Sequence, residues 1–284
     1  MNLQDKIDAY WTDFGLAHCN ELYNFQKNLA QLRLENKIPD IIIFSEHHPV
    51  ISFGRALKNN RFSRNFLEKV KKIYDNDNEE SCIDCLNKLG IDFFKEARGG
   101  GATYLGPGQL ITYPIVDFHK IVNTTLGVNK YKNLIDQIMY EILKEKFNLN
   151  VNLVEISKEK KFNEKNEIVK NRADVWLFKN GKNYKIGATG IHTSSNISYN
   201  GFSMFVKQHS LFGFDFIDIC GYNKNELDVT CMENELKTEI NIYELRNAIL
   251  DKIKEKFNYK NLVYIEPEDL EKIEVNSNLL ISSD

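Results

Sequence analysis

The sequence has no long apolar run: its most aliphatic stretch, Ile41-Ile42-Ile43-Phe44, is far too short to cross a bilayer. The opening segment MNLQDKIDAYWTDFG does not read as a secretory signal either, since it shows no basic start, apolar centre or small-residue cleavage site. The expected compartment is therefore the cytoplasm, or a mitochondrion or plastid if a transit peptide has been removed. Net charge is only −3, which leaves no global basic field for nucleic acid. Neither GxGxxG nor GxxxxGK[ST] occurs, and there is no repeat of 20–50 residues.

Cysteine is sparse and unpaired in pattern, at positions 19, 82, 85, 220 and 231. An odd, scattered set in an intracellular chain predicts free thiols. Cys82 and Cys85 make a single CxxC with no second pair or finger-like histidines, so a solvated turn is expected there and no metal.

What the sequence does have is an ordinary globular composition, 42% apolar and 27% charged, enough for one large domain. Leu22, Phe25, Leu29 and Leu32 recur at helical spacing, and so do Leu134, Ile135, Ile138, Met139, Ile142, Leu143 and Phe147. Ile242, Leu245, Ile249, Ile253 and Phe257 predict a closing helix with a short tail after it. IIIF and VISFG read as two buried strands with a short connection, and Gln109 to Phe118 as a third. Val175 to Phe178, Asn180-Gly181 and Tyr184 to Ile186 form a hairpin signature, because Asn-Gly suits a type I′ turn. Residues 58–92 and 156–171 are polar and are expected to be surface insertions. Short strand-to-strand links without βαβ alternation predict an α+β fold, a mixed and largely antiparallel sheet flanked by helices. Residues 1–284 are expected to form a single domain.

Three segments carry candidate chemistry. Arg98-Gly-Gly-Gly-Ala-Thr-Tyr-Leu-Gly-Pro-Gly-Gln109 lets a ligand approach the backbone closely, with Arg98 available to an acidic group. Lys185-Ile-Gly-Ala-Thr-Gly190 puts a lysine on the return strand of the hairpin, where it is either a surface residue or a buried base or thiolate partner. Ile219-Cys220-Gly221 ends an apolar run in a thiol, which is either core filler or a nucleophile. His192 reads as a loop histidine. The cations Arg55, Lys58, Arg61, Arg64, Lys69, Lys71 and Lys72 read as a solvated face.

Taken in order, PDIIIFSEHHPVISFGR, RGGGATYLGPGQLITYPIVDF, VWLFKNGKNYKIGATGIH, ISYNGFSMFV and DICGY resemble the lipoyl(octanoyl) transferase family of the biotin/lipoate protein ligase superfamily. The resemblance covers most of residues 8–235 and implies a ligase-like catalytic domain. It implies transfer of an octanoyl or lipoyl group from acyl carrier protein to a lysine of lipoyl domains, in 2-oxoacid dehydrogenases or the glycine cleavage H protein. Cys220 would carry the acyl thioester and Lys185 would activate it, because a neighbouring ammonium favours the thiolate. The acyl site would be lined by Arg98, Gly99, Gly100, Gly101, Ala102, Thr103, Tyr104 and Leu105, by Ala188, Thr189 and Gly190, and by Gly201, Phe202 and Ser203. Thioester exchange needs no ATP, cofactor or metal, and neither nucleic acid nor membrane enters the scheme. Leu105 and Asn200 stand where the family motif has histidines. The alternatives are an ATP-dependent lipoate or biotin ligase, which needs no cysteine, and a catalytically silent binder of acyl carrier or lipoyl domains.

Overall fold

The computed structural model describes residues 8–55, 62–125, 127–153, 174–219 and 227–273. Strand β1 (Ala9–Ala17) leads into helix α1 (Cys19–Leu34), then β2 (Asp40–His47) and β3 (Val50–Phe53). Helices α2 (Arg64–Tyr74) and α3 (Glu79–Lys88) come next, followed by β4 (Asp92–Lys95), β5 (Ala102–Leu105) and β6 (Gln109–Asp117). Helices α4 (Phe118–Val122) and α5 (Val128–Glu141) are followed by a π-helical turn, Ile142–Lys146, and β7 (Asn152–Leu153). The second half holds β8 (Val175–Lys179), β9 (Lys182–Ser194), β10 (Ile197–Phe205) and a 3-10 segment, Gln208–Phe216. It closes with β11 (Leu227–Val229), α6 (Met232–Leu236), α7 (Ile242–Lys256) and β12 (Leu262–Tyr264).

The strands form two sheets. The large one runs β12-β1-β2-β6-β10-β9-β8-β7, with β11 also paired to β9, and the small one runs β4-β3-β5. Pairing is antiparallel from β2 through β6, β10, β9 and β8 to β7, while β12, β1 and β2 are parallel. This is the α+β, mixed and largely antiparallel arrangement that the sequence predicts.

Alternation within β2 shows why the large sheet is buried on both faces. Ile41 and Ile43 point into one apolar group with Leu22, Leu29 and Leu32 of α1. Ile42 and Phe44 point into the other, with Ile135, Ile138 and Met139 of α5 and Leu245, Ile249 and Ile253 of α7. A third group fills the space around the small sheet, where Phe66, Val70, Cys82 and Leu86 of α2 and α3 meet Ile51, Phe53 and Phe214. The described part of segment 58–92 therefore contributes more core than its polar composition suggests: one stripe of each helix is apolar and much of it is buried, although Ile73 is exposed. Cys82 is correspondingly buried in α3 and not in a solvated turn.

Three further features differ from the sequence expectations. β1 is a strand that the sequence shows weakly, because its burial alternates poorly. β2 and β3 belong to different sheets despite their short connection. The tail after α7 is part of the fold: β12 pairs with β1, where Trp11 packs on Tyr264 with ring centroids 4.7 Å apart, and Leu270 is fully buried. Segment 156–171 lies outside the described residues. No described helix is long and apolar enough to cross a membrane.

Candidate active site

A cleft opens where β5 of the small sheet faces β9 and β10 of the large one, enclosing about 660 Å³ that is partly open to solvent. The β8–β9 hairpin turns at Asn180-Gly181, with φ of 52° and 75°, the positive pair that a type I′ turn requires. That turn sets β9 in register, with Trp176 opposite Lys185, and β9 then pairs with β10, with Gly190 opposite Gly201 and Ala188 opposite Ser203. One hairpin after another thus delivers the Lys185 segment and the Gly201 segment to the same wall.

Of the residues expected to line an acyl site, the cleft brings together Arg98, Gly100, Gly101, Ala102, Thr103, Leu105, Lys185, Ala188, Thr189, Gly190, Gly201, Phe202 and Ser203. Gly99 and Tyr104 do not line it. Strand alternation turns Tyr104 away from Thr103 and Leu105, and its ring packs edge-on to Phe214 in the third core group. Gly99 donates its N–H to the Ile191 carbonyl at 3.1 Å, stitching the glycine segment to β9.

The lining also includes Glu96, Ile111, Tyr113, Asp174 and Asn200, which the motifs did not single out as lining. Glu96 is the partner of Arg98, with Nε donating to Oε1 at 2.8 Å and both side chains under 10% exposed. The guanidinium also donates to the Ser52 carbonyl at 2.7 Å and the Gly99 carbonyl at 3.1 Å, while the Ser52 hydroxyl donates to Glu96. Arg98 is thus a buried strut joining β3, the end of β4 and the glycine segment. Two buried charges tolerate this site because their remaining hydrogen-bonding capacity is filled.

Lys185 forms the second buried pair, its Nζ 2.6 Å from Asp174 Oδ2 and 4.9 Å from the centre of the Trp176 ring. The other oxygen of Asp174 accepts the Thr189 N–H at 2.7 Å, and the Thr189 hydroxyl donates to Asp136 Oδ1 at 2.6 Å. Burial raises the Asp136 carboxyl above its usual range. Asp174 gave no signal in the sequence because its partner lies on the neighbouring strand, 11 residues further on.

Asn200 and Leu105, the two positions where the resemblance leads one to expect histidines, both line the cleft. Asn200 sits at φ 57° within β10, a left-handed conformation that Asn and His adopt more readily than most residues. Its Nδ2 donates to Glu96 Oε2 at 3.3 Å and its N–H donates to Gln26. The next residue must be glycine, since a Cβ on Gly201 would lie 2.0 Å from the Thr112 carbonyl oxygen. Leu105 and Ile111, from the apolar group shared with α1, line the cleft, and Phe202, from the group shared with α5 and α7, also reaches it.

A histidine lies behind Tyr113. Tyr113, which lines the cleft, has its hydroxyl 2.6 Å from His47 Nε2, and His47 Nδ1 is 2.9 Å from the Ala17 carbonyl. The carbonyl can only accept, so Nδ1 carries the proton and Nε2 accepts from Tyr113. Burial pushes the His47 imidazole down to about 4, keeping it neutral at pH 7. His192 lies outside the cleft lining, with Nδ1 on the Ala97 carbonyl and Arg55 at 3.5 Å from Nε2.

Cys220 lies outside the described residues. The other four cysteines, Cys19, Cys82, Cys85 and Cys231, are free, and none of them lines the cleft. Burial raises the thiols of Cys19, Cys82 and Cys231, the opposite of what a nucleophile needs. Among the described residues no group of three or more His, Cys, Asp or Glu could hold a metal ion. On α2, Arg64, Lys69, Lys71 and Lys72 are exposed as expected, while Lys58 and Arg61 lie outside the described residues.

The sequence profile of the lipoyl protein ligase A/B catalytic domain matches residues 19–254. An octanoyltransferase of Alkaliphilus metalliredigens is 26% identical over 254 residues, covering 89% of this chain and 97% of that protein. An octanoyltransferase of Desulforamulus reducens is 28% identical over 207 residues, 73% of each chain. Among solved structures, lipoate-protein ligase A bound with ATP superposes with a TM-score of 0.59 at 14% identity, over 95% of this chain and 93% of that one. A bipartite lipoate protein ligase from Thermoplasma acidophilum, studied with its E2 lipoyl domain, gives 0.56 at 14% identity over 95% and 91%. The profile spans most of the chain and contains every described wall of the cleft: this protein is a member of the lipoyl protein ligase A/B catalytic domain family.

Proposed function

We propose that the protein is an octanoyltransferase that moves an octanoyl or lipoyl group from acyl carrier protein to a lysine of a lipoyl domain, through a thioester on Cys220. The observation that carries this reading is the make-up of the cleft: its lining combines apolar Leu105, Ile111 and Phe202 with two ion pairs that are already internally neutralised. Such a site favours an uncharged acyl chain and keeps one ammonium, Lys185, at its edge. The octanoyltransferases similar to this chain support the choice of acyl group.

Cys220 is supported by elimination and by its neighbours in the chain. Ile219 is buried in the third core group, against which Ala188 also packs. On the far side of the undescribed residues, Val229 pairs with Lys185 in the β11–β9 ladder.

The chemistry balances without ATP. The Cys220 thiolate attacks the carrier's thioester carbonyl, a new S–C bond forms, and the carrier thiolate leaves with a proton from the Lys185 ammonium. In the second half-reaction the target lysine amine attacks the acyl-enzyme, its proton passes to Lys185, and Cys220 leaves as the thiolate.

The test is incubation with octanoyl-acyl carrier protein in the absence of ATP, followed by intact mass measurement. A hydroxylamine-labile octanoyl adduct is expected on the wild type and not on Cys220→Ala. Lack of an adduct on the wild type overturns the transferase reading. An equal adduct on Cys220→Ala overturns the assignment of the nucleophile.

A further inference from the structure

We propose that Asp174 is a positioning residue for this transfer: its carboxylate holds Lys185 in the cleft lining, and its charge sets the pH window in which Lys185 stays an ammonium able to favour the Cys220 thiolate of the proposed reaction. The inference rests on the Cys220–Lys185 reading and adds a member to it.

The geometry makes Asp174 a fixed anchor. One oxygen takes Lys185 Nζ at 2.6 Å and the other takes the Thr189 N–H at 2.7 Å, so rotation about its side chain would break one contact or the other. Its backbone lies at φ 102°, a region that favours glycine and in which an ordinary residue persists only where surrounding contacts hold it. The Lys185 carbonyl accepts the Thr230 N–H at 2.8 Å, which fixes the lysine at its other end. Both side chains of the pair are about one-tenth exposed, so bulk water screens their charges little.

The other charged groups around the pair are themselves engaged. Asp136 on α5 takes the Thr189 hydroxyl and Lys132, not Lys185. Across the cleft Arg98 and Glu96 are paired with each other. Lys182 meets Asp228, and Lys179 meets Glu235, the residue that also takes the Thr230 hydroxyl. On the strand opposite, Trp176 presents an uncharged ring.

A carboxylate in this position acts on both titrations in the same direction. On the Cys220–Lys185 reading it opposes formation of the thiolate, a second anion, and it opposes loss of the ammonium proton. Both limbs of the active window therefore stand at higher pH than they would without it.

Asp174→Asn tests this, because asparagine matches aspartate in shape without its charge and its amide oxygen can still accept the Thr189 N–H. In Asp174→Asn, alkylation of Cys220 by iodoacetamide is expected to begin about one pH unit lower than in the wild type. In Lys185→Ala it is expected to begin at higher pH, the opposite direction. Both limbs of the pH–rate profile for octanoyl transfer should move down in Asp174→Asn. A purely structural role would lower the profile without moving it. Asp174→Gly, which the positive φ favours, should reproduce the shift should the amide perturb folding. If Lys185→Ala moves the alkylation profile and neither Asp174 variant does, the role of Asp174 is overturned while the dyad stands. If Lys185→Ala leaves it unmoved, the dyad itself fails.

Discussion

Asn200 Nδ2 donates to Glu96 Oε2 at 3.3 Å, so this amide is bound to the same carboxylate that neutralises Arg98. The residue at position 200 is therefore tied to a carboxylate two residues before the arginine–glycine motif. Asn200→Asp would set a second carboxylate against Glu96. Its backbone conformation is tolerated by Asp, so the expected cost is electrostatic, about 2–3 kcal/mol at pH 7.5. The new carboxyl would have a raised folded pKa, so the folded state would bind the extra proton. The penalty should shrink as the pH falls towards 5, as urea unfolding at the two pH values would show.

Arg98→Met removes the guanidinium and leaves Glu96 buried among Ser52 and Asn200. Breaking one side of a buried pair costs about 3–5 kcal/mol. Denaturant unfolding should report that loss in Arg98→Met, and Arg98→Lys should recover only part of it, because an ammonium cannot reach the Ser52 carbonyl, the Gly99 carbonyl and Glu96 with the same fork. An Arg98→Met protein as stable as wild type would show that the strut is not structural.

His47 gives the fold a defined acid sensitivity. Its folded pKa of about 4 lies below the ordinary 6.5, so the unfolded chain binds the proton first as pH falls. The stabilisation is complete above about pH 6.5 and is lost progressively down to about pH 4, amounting to about 3 kcal/mol. In His47→Gln the slope of stability against pH should flatten across that window. An unchanged slope would mean that His47 is already charged in the native state.

Gly201→Ala is expected to lose the native β6–β10 pairing. A Cβ there meets the Thr112 carbonyl oxygen at 2.0 Å and Pro114 Cδ at 2.8 Å, both on β6, the strand at the centre of the large sheet. A backbone carbonyl and a proline ring carbon tied to its own backbone leave nothing that can swing aside. A drop in melting temperature of several degrees, or no soluble protein at all, is the expected result.

The sequence made legible those elements in which one local signal suffices. Helical spacing located α1, α5 and α7, and Asn-Gly located the β8–β9 hairpin with Lys185 on its return strand. The glycine motifs marked most of one cleft wall. It did not show β1, whose outward and inward residues are all of mixed character, nor β12, which is three residues long and exists by pairing with β1. It placed Tyr104 in the cleft because a motif does not state which way alternate strand residues point. Glu96 and Asp174 were invisible for a related reason: each matters through a partner that only the tertiary fold selects, Asn200 from 104 residues away for one and the strand-paired Lys185 for the other.

The two tryptophans of the chain stand at opposite regions of the large sheet, Trp11 on the β12 edge against Tyr264 and Trp176 against Lys185. The protein therefore carries its own optical probe of the lysine. Trp11→Phe would leave a single indole, whose emission should respond when the ammonium beside it gives up its proton or when an acyl chain settles nearby. Stopped-flow fluorescence could then time the two half-reactions separately, with no label attached.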